Sequence, residues 1–101
     1  MSTLSKRLRE ARLLTGISQE QLGIQAGIDP ASASTRMNRY EQGTRIPDLA
    51  LVERIANELE LPAAYFYAVD DDEAMLLQWF CKLSAEERAE LMRTVQGIKC
   101  M

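Results

Sequence analysis

The chain has 101 residues, 47% hydrophobic and 27% charged, with a formal net charge of -3. That suits one domain with a single core, argues against disorder, and leaves no apolar run near the roughly 20 residues of a membrane span. With no histidine, Ser-His and Cys-His nucleophile pairs and imidazole zinc sites are excluded. The basic cluster Lys6, Arg7, Arg9 and Arg12 precedes no apolar block, so no signal peptide is expected. Cys81 and Cys100 lack CxxC spacing and read as reduced, inert thiols, one packed and one in a terminal tail.

Helical punctuation recurs along the chain, whereas sustained apolar alternation and Asn-Gly or Asp-Gly hairpins are missing. A first helix is expected from about Thr3 to Thr15, with Leu4, Leu8 and Ala11 on one face and Gly16 as its stop. Ser18-Gln19-Glu20-Gln21 is a capping box opening a short helix through Gln25, stopped near Gly27. Asp29-Pro30 predicts an immediate restart, with Asp29 as N-cap and a third helix running to Glu41 before Gly43. Asp48 caps a fourth helix carrying Val52, Ile55, Ala56 and Leu59, and Pro62 opens a turn with Tyr65 and Phe66. The acidic run Asp70 to Glu73 reads as a solvated cap, since its spacing matches no calcium loop. A fifth helix is expected over about Glu73 to Leu83, and Ser84-Ala85-Glu86-Glu87 caps a sixth. The predicted class is all-α: a compact five-helix domain over residues 1–69, then a helical hairpin over 70–101.

The charge is unevenly spread. Residues 1–46 carry +3 and residues 47–101 carry -6, so a polyanion could meet a basic half of an acidic protein. On the third helix, Ala33, Met37 and Tyr40 share one face. Ser32, Thr35 and Arg39 lie opposite, flanked by Arg36, Asn38 and Gln42. Hydroxyls, amides and guanidiniums without a carboxylate are the groups that bond base edges and phosphates. Glu41 falls about 40° from Met37 on the wheel, beside the inward face, and there requires a cation.

Ser18-Gln19-Glu20-Gln21-Leu22-Gly23-Ile24-Gln25-Ala26-Gly27-Ile28, then Tyr40-Glu41-Gln42-Gly43 and Pro47, resembles the Xre/Cro-type, lambda-repressor-like helix-turn-helix family over about residues 4–68. The resemblance implies a repressor-like fold whose third helix enters the major groove. It implies base reading by Ser34, Thr35, Arg36, Asn38 and Arg39, and backbone phosphate contacts by Gln19, Gln42, Thr44 and Arg45. It also pairs Glu41 with Arg12, late in the first helix. Two departures stand out. About four surplus residues around Asp29-Pro30-Ala31-Ser32 either lengthen the third helix or enlarge the turn, and Gly23 replaces the usual alanine.

The expected function is a sequence-specific transcriptional regulator, a repressor bound to double-stranded DNA as a homodimer on a palindromic operator. Neither catalysis, cofactor, metal nor membrane is expected, and the setting is the cytoplasm of a bacterium or a phage host. The apolar stripes of the last two helices, with Leu76, Trp79, Phe80, Leu91, Met92 and Val95, form the candidate dimer interface; a packing lid on the core is the other reading. The rival function is an antitoxin-like module holding a protein partner through the acidic C-terminal half.

Overall fold

The structure, a computed structural model, describes residues 2–99, so the expected tail thiol Cys100 lies outside the described residues. The elements in order are α1 (Thr3–Thr15), α2 (Gln19–Gln25), α3 (Ala33–Gln42), α4 (Leu49–Glu58), a 3₁₀ turn (Ala63–Tyr67), α5 (Asp71–Phe80) and α6 (Ala85–Lys99). No strand occurs among the described residues, in keeping with the expected all-α class.

Most of these helices begin where a short polar side chain accepts from an otherwise orphaned backbone N–H. Ser2 accepts from Ser5, Ser18 from Gln21 and Asp48 from Leu51, at 2.8–3.1 Å. Ser84 and Glu87 close a reciprocal box at 3.1 and 2.8 Å. Each such cap stabilises its helix by about 1 kcal/mol. The acidic run starts α5 two residues earlier than expected. Asp70 is the cap, accepting from the N–H groups of Asp72 and Glu73.

The third helix differs from expectation. It starts at Ala33, and Ser32 makes no side-chain cap bond. Asp29 holds a turn instead: its carboxylate accepts from Ala31 N–H at 2.9 Å and its carbonyl from Ser32 N–H at 2.9 Å. Asp at the first and Pro at the second position of a tight turn is a favoured pairing. The surplus residues therefore enlarge the turn and leave the helix short. Upstream, Gly27 (φ 95°) closes α2, with Ile28 N–H bonded to Gly23 carbonyl and Gly27 N–H to Ile24 carbonyl.

Leu8, Leu22, Met37, Val52, Ile55 and Phe66 form the centre of the core, each at most 1% exposed. Tyr65 and Phe66 meet edge to face with ring centroids 5.2 Å apart. The core continues past Val69, since Ala74 is buried in it and Leu77 packs against it. Arg7 accounts for this continuity. It is 1% exposed and donates to the carbonyls of Ala68 and Val69, while pairing with Glu10 and Asp71. Burial opposes its charge, but the carboxylates of Asp71 and Glu10 outweigh that and raise its pKa. Tyr65 donates its hydroxyl to Glu10, and burial together with that carboxylate pushes the phenol well above its ordinary pKa. In contrast, α6 buries no residue, and the molecule measures 52 × 26 × 22 Å.

Candidate nucleic-acid interface

The site is built on α2 and α3. They approach closely because Gly23 has no side chain. A Cβ there would lie 2.9 Å from Met37 Cγ and 3.0 Å from Ala33 Cβ. Arg54 of α4 donates to the Ala26 carbonyl at 2.7 Å and ties the end of α2 to the core.

Buried electrostatics fixes α3 in rotation. Glu41 is 2% exposed. Its Oε2 accepts from Arg12 Nε at 2.6 Å and its Oε1 from Arg12 Nη2 at 3.1 Å. Arg12 also donates to the Ile17 carbonyl at 3.1 Å, so one guanidinium joins α1, the following loop and α3. Two parallel charge-assisted bonds hold both partners in a single geometry. Gln19, the first residue of α2, adds a third bond: its Nε2 donates to Glu41 Oε1 at 3.2 Å and to Asn38 Oδ1 at 3.3 Å.

With Ala33, Met37, Tyr40 and Glu41 turned inward, Ser34, Thr35, Arg36, Asn38, Arg39 and Gln42 are exposed. None of the exposed residues of α3 is acidic. The structure gathers three arginines at the C-terminal end of this face. Arg36, Arg39 and Arg45 line a cleft of about 300 Å³ with Tyr40 and Ile46. Arg36 lies along its own helix, donating to Tyr40 Oη at 2.8 Å with its guanidinium 5.8 Å from the ring centre. That turns it toward Arg45 and the cleft. Thr44 is exposed and donates to the Arg39 carbonyl at 3.3 Å.

The candidate dimer residues stand on the other elements. Leu76, Trp79, Met92 and Val95 are between 44% and 57% exposed, and Phe80 and Leu91 are half-buried. The hairpin therefore does not cover its own apolar stripe. Among the described residues, no group of three or more His, Cys, Asp or Glu side chains could hold a metal ion, and no helix is long and apolar enough to cross a membrane. Cys81 is a free thiol.

Two structural residues escaped the sequence reading. Arg7 belongs to the basic N-terminal cluster, yet it is i+3 from Leu4 and i−4 from Ala11, on the inward face of α1. That spacing was the available signal. Arg54 carried no local signal, because its partner carbonyl is 28 residues away.

The sequence matches the helix-turn-helix domain family over residues 3–74. The fold is similar to the crystal structure of transcriptional regulator BswR, with a TM-score of 0.86, 39% identity, and 92% of each chain covered. No curated protein sequence matches the chain.

Proposed function

The chain belongs to the helix-turn-helix domain family, and from that premise we propose that it is a sequence-specific DNA-binding transcriptional regulator, a repressor of the Xre type that binds a palindromic operator as a homodimer. The observation that carries this reading is the exposed face of α3. It presents Ser34, Thr35, Asn38 and Arg39 without a carboxylate and ends in the cleft lined by Arg36, Arg39 and Arg45. Side chains of these types read base edges in the major groove, while a cluster of guanidiniums holds phosphates. In this reading Ser34, Thr35, Asn38 and Arg39 read bases. Arg36 joins them at the groove edge, and Gln42, Thr44 and Arg45 hold the backbone. The similarity to a solved transcriptional regulator over 92% of the chain supports the regulatory role.

Residues 1–69 form the reading head and residues 70–101 the dimerising arm, with the first turns of α5 docked on the head through Asp71 and Ala74. The protein works on chromosomal or phage DNA in the cytoplasm. A second reading, a docking module for a different protein, draws on the same exposed Leu76, Trp79 and Met92. The mass of the purified protein in solution separates the two, since a homodimer needs no chain of different sequence. The direct test is selection of bound sequences from random duplex DNA. An enriched inverted repeat with half-site centres about 34 Å apart is expected. Absence of any enrichment at low salt overturns the proposal.

A further inference from the structure

We propose that Gln19 is a positioning residue that fixes the polarity of the Asn38 amide, so that Asn38 meets the major groove as a hydrogen-bond donor and prefers a guanine edge. The inference rests on the DNA-reading function proposed above. Its origin is the buried carboxylate of Glu41, which is paired with Arg12 and offers only acceptors. The end of the Gln19 amide that meets Glu41 Oε1 at 3.2 Å must therefore be its NH2. That nitrogen has two hydrogens. The second goes to Asn38 at 3.3 Å, so the end of Asn38 turned toward Gln19 must be its carbonyl. The Asn38 NH2 is left on the exposed side of α3. Reversing Asn38 alone would set two NH2 groups against each other. Reversing Gln19 would set its carbonyl against the Glu41 carboxylate.

An unconstrained asparagine reads adenine with one donor and one acceptor. Here the carbonyl is turned toward Gln19, so the groups turned outward are the N–H donors. Guanine presents two acceptors, N7 and O6, side by side in the major groove, whereas cytosine presents a donor. The same bonds change the role of Gln19 itself. Both of its side-chain N–H groups are engaged, so the amide has no N–H left for a phosphate, which only accepts.

The test compares the full-length protein with Gln19→Leu and Asn38→Asp on the selected operator and its single-base variants. In the wild type, one base pair should favour guanine over cytosine. Gln19→Leu should reduce that preference by about tenfold, the scale of one such contact, and leave the other positions and random DNA within about twofold. Asn38→Asp keeps the acceptor for Gln19, places a second acceptor outward, and should shift the same position toward cytosine. Asn38 is exposed, so this variant is expected to fold even if Gln19→Leu does not. A loss from Gln19→Leu that is equal on all sequences makes Gln19 a phosphate contact and overturns the proposal. An unchanged preference in Asn38→Asp overturns it as well. Side-chain amide NMR gives a readout without DNA: the Asn38 NH2 signals should move in Gln19→Leu, and unmoved signals refute the pairing. A wild-type protein that binds no duplex defeats the DNA-reading function instead, and the NMR result still judges the pairing.

Discussion

Glu41 shows how one residue can serve both fold and interface. A carboxylate near the C-terminus of a helix opposes the helix dipole, and burial adds a desolvation penalty. Arg12 offsets both with two short bonds. Removing either partner strands a charge, so Arg12→Ala and Glu41→Ala should each lower stability by about 3–5 kcal/mol, less for whichever charge regains water. The double variant should lose less than the sum, and a thermal or urea melt of all three checks it. Melts of the single variants that match wild type would show the pair contributes nothing. Gly23 has the opposite character. On an isolated helix alanine would be better by about 1 kcal/mol. Here its Cβ would press on Met37 Cγ at 2.9 Å and on the Ala33 carbonyl at 3.2 Å. Gly23→Ala should therefore destabilise by about 1–3 kcal/mol, as overpacking does. A more stable variant would mean that α2 and α3 can separate freely.

At the scale of elements, the corner between α5 and α6 is well held although α6 touches little else. Arg88 donates to the carbonyls of Phe80 and Cys81 at 3.1 and 3.3 Å, satisfying the end of α5, and stacks 4.7 Å from the Phe80 ring centre. The capping box of Ser84 and Glu87 then aims α6. A helix of 15 residues held at a defined angle with Met92, Val95 and Ile98 exposed presents an apolar stripe about 9 Å long in its second half. Covering that stripe with a second copy is the proposed dimerisation. Met92→Asp combined with Val95→Asp should yield a folded monomer in sedimentation, because neither side chain is buried in the single chain. A dimer that survives both substitutions places the interface elsewhere.

For the whole molecule, net charge is a poor guide to its encounter with a polyanion. Arg7 and Arg12 belong to the interior, each committed to carboxylates, and Lys6 pairs with Asp71 on the surface. The carboxyl of Asp71 is held below its ordinary range by Lys6 and Arg7. The proposed reading gives DNA the group Arg36, Arg39 and Arg45 around one cleft, and Arg9 is a further exposed arginine on α1. Each arginine that neutralises a phosphate should add roughly -0.9 to the slope of log affinity against log salt. Arg45→Gln should reduce that slope by about 1 on specific and random duplexes alike. A slope unchanged in that variant would remove Arg45 from the backbone contacts.

The all-helical class, the order of elements and most helix starts were legible in the sequence, because caps and apolar periodicity act within four residues of chain. Ser18 with Gln21 and Ser84 with Glu87 are bonds of that reach. The separation of Met37 and Tyr40 from Thr35 and Arg39 follows equally from the helical period, and burial divides them in the same way. Tertiary structure alone decided the rest. Asp29-Pro30 suits a helix start and a tight turn equally well, and in the fold it is a turn, with Ala31 N–H bonded to the Asp29 carboxylate. Arg7 meets the carbonyls of Ala68 and Val69, 61 and 62 residues along the chain, beyond any local pattern. The direction of the Gln19 amide depends on Glu41 of another helix, and that of the Asn38 amide on Gln19, because an amide alone has no preference for which end it turns outward.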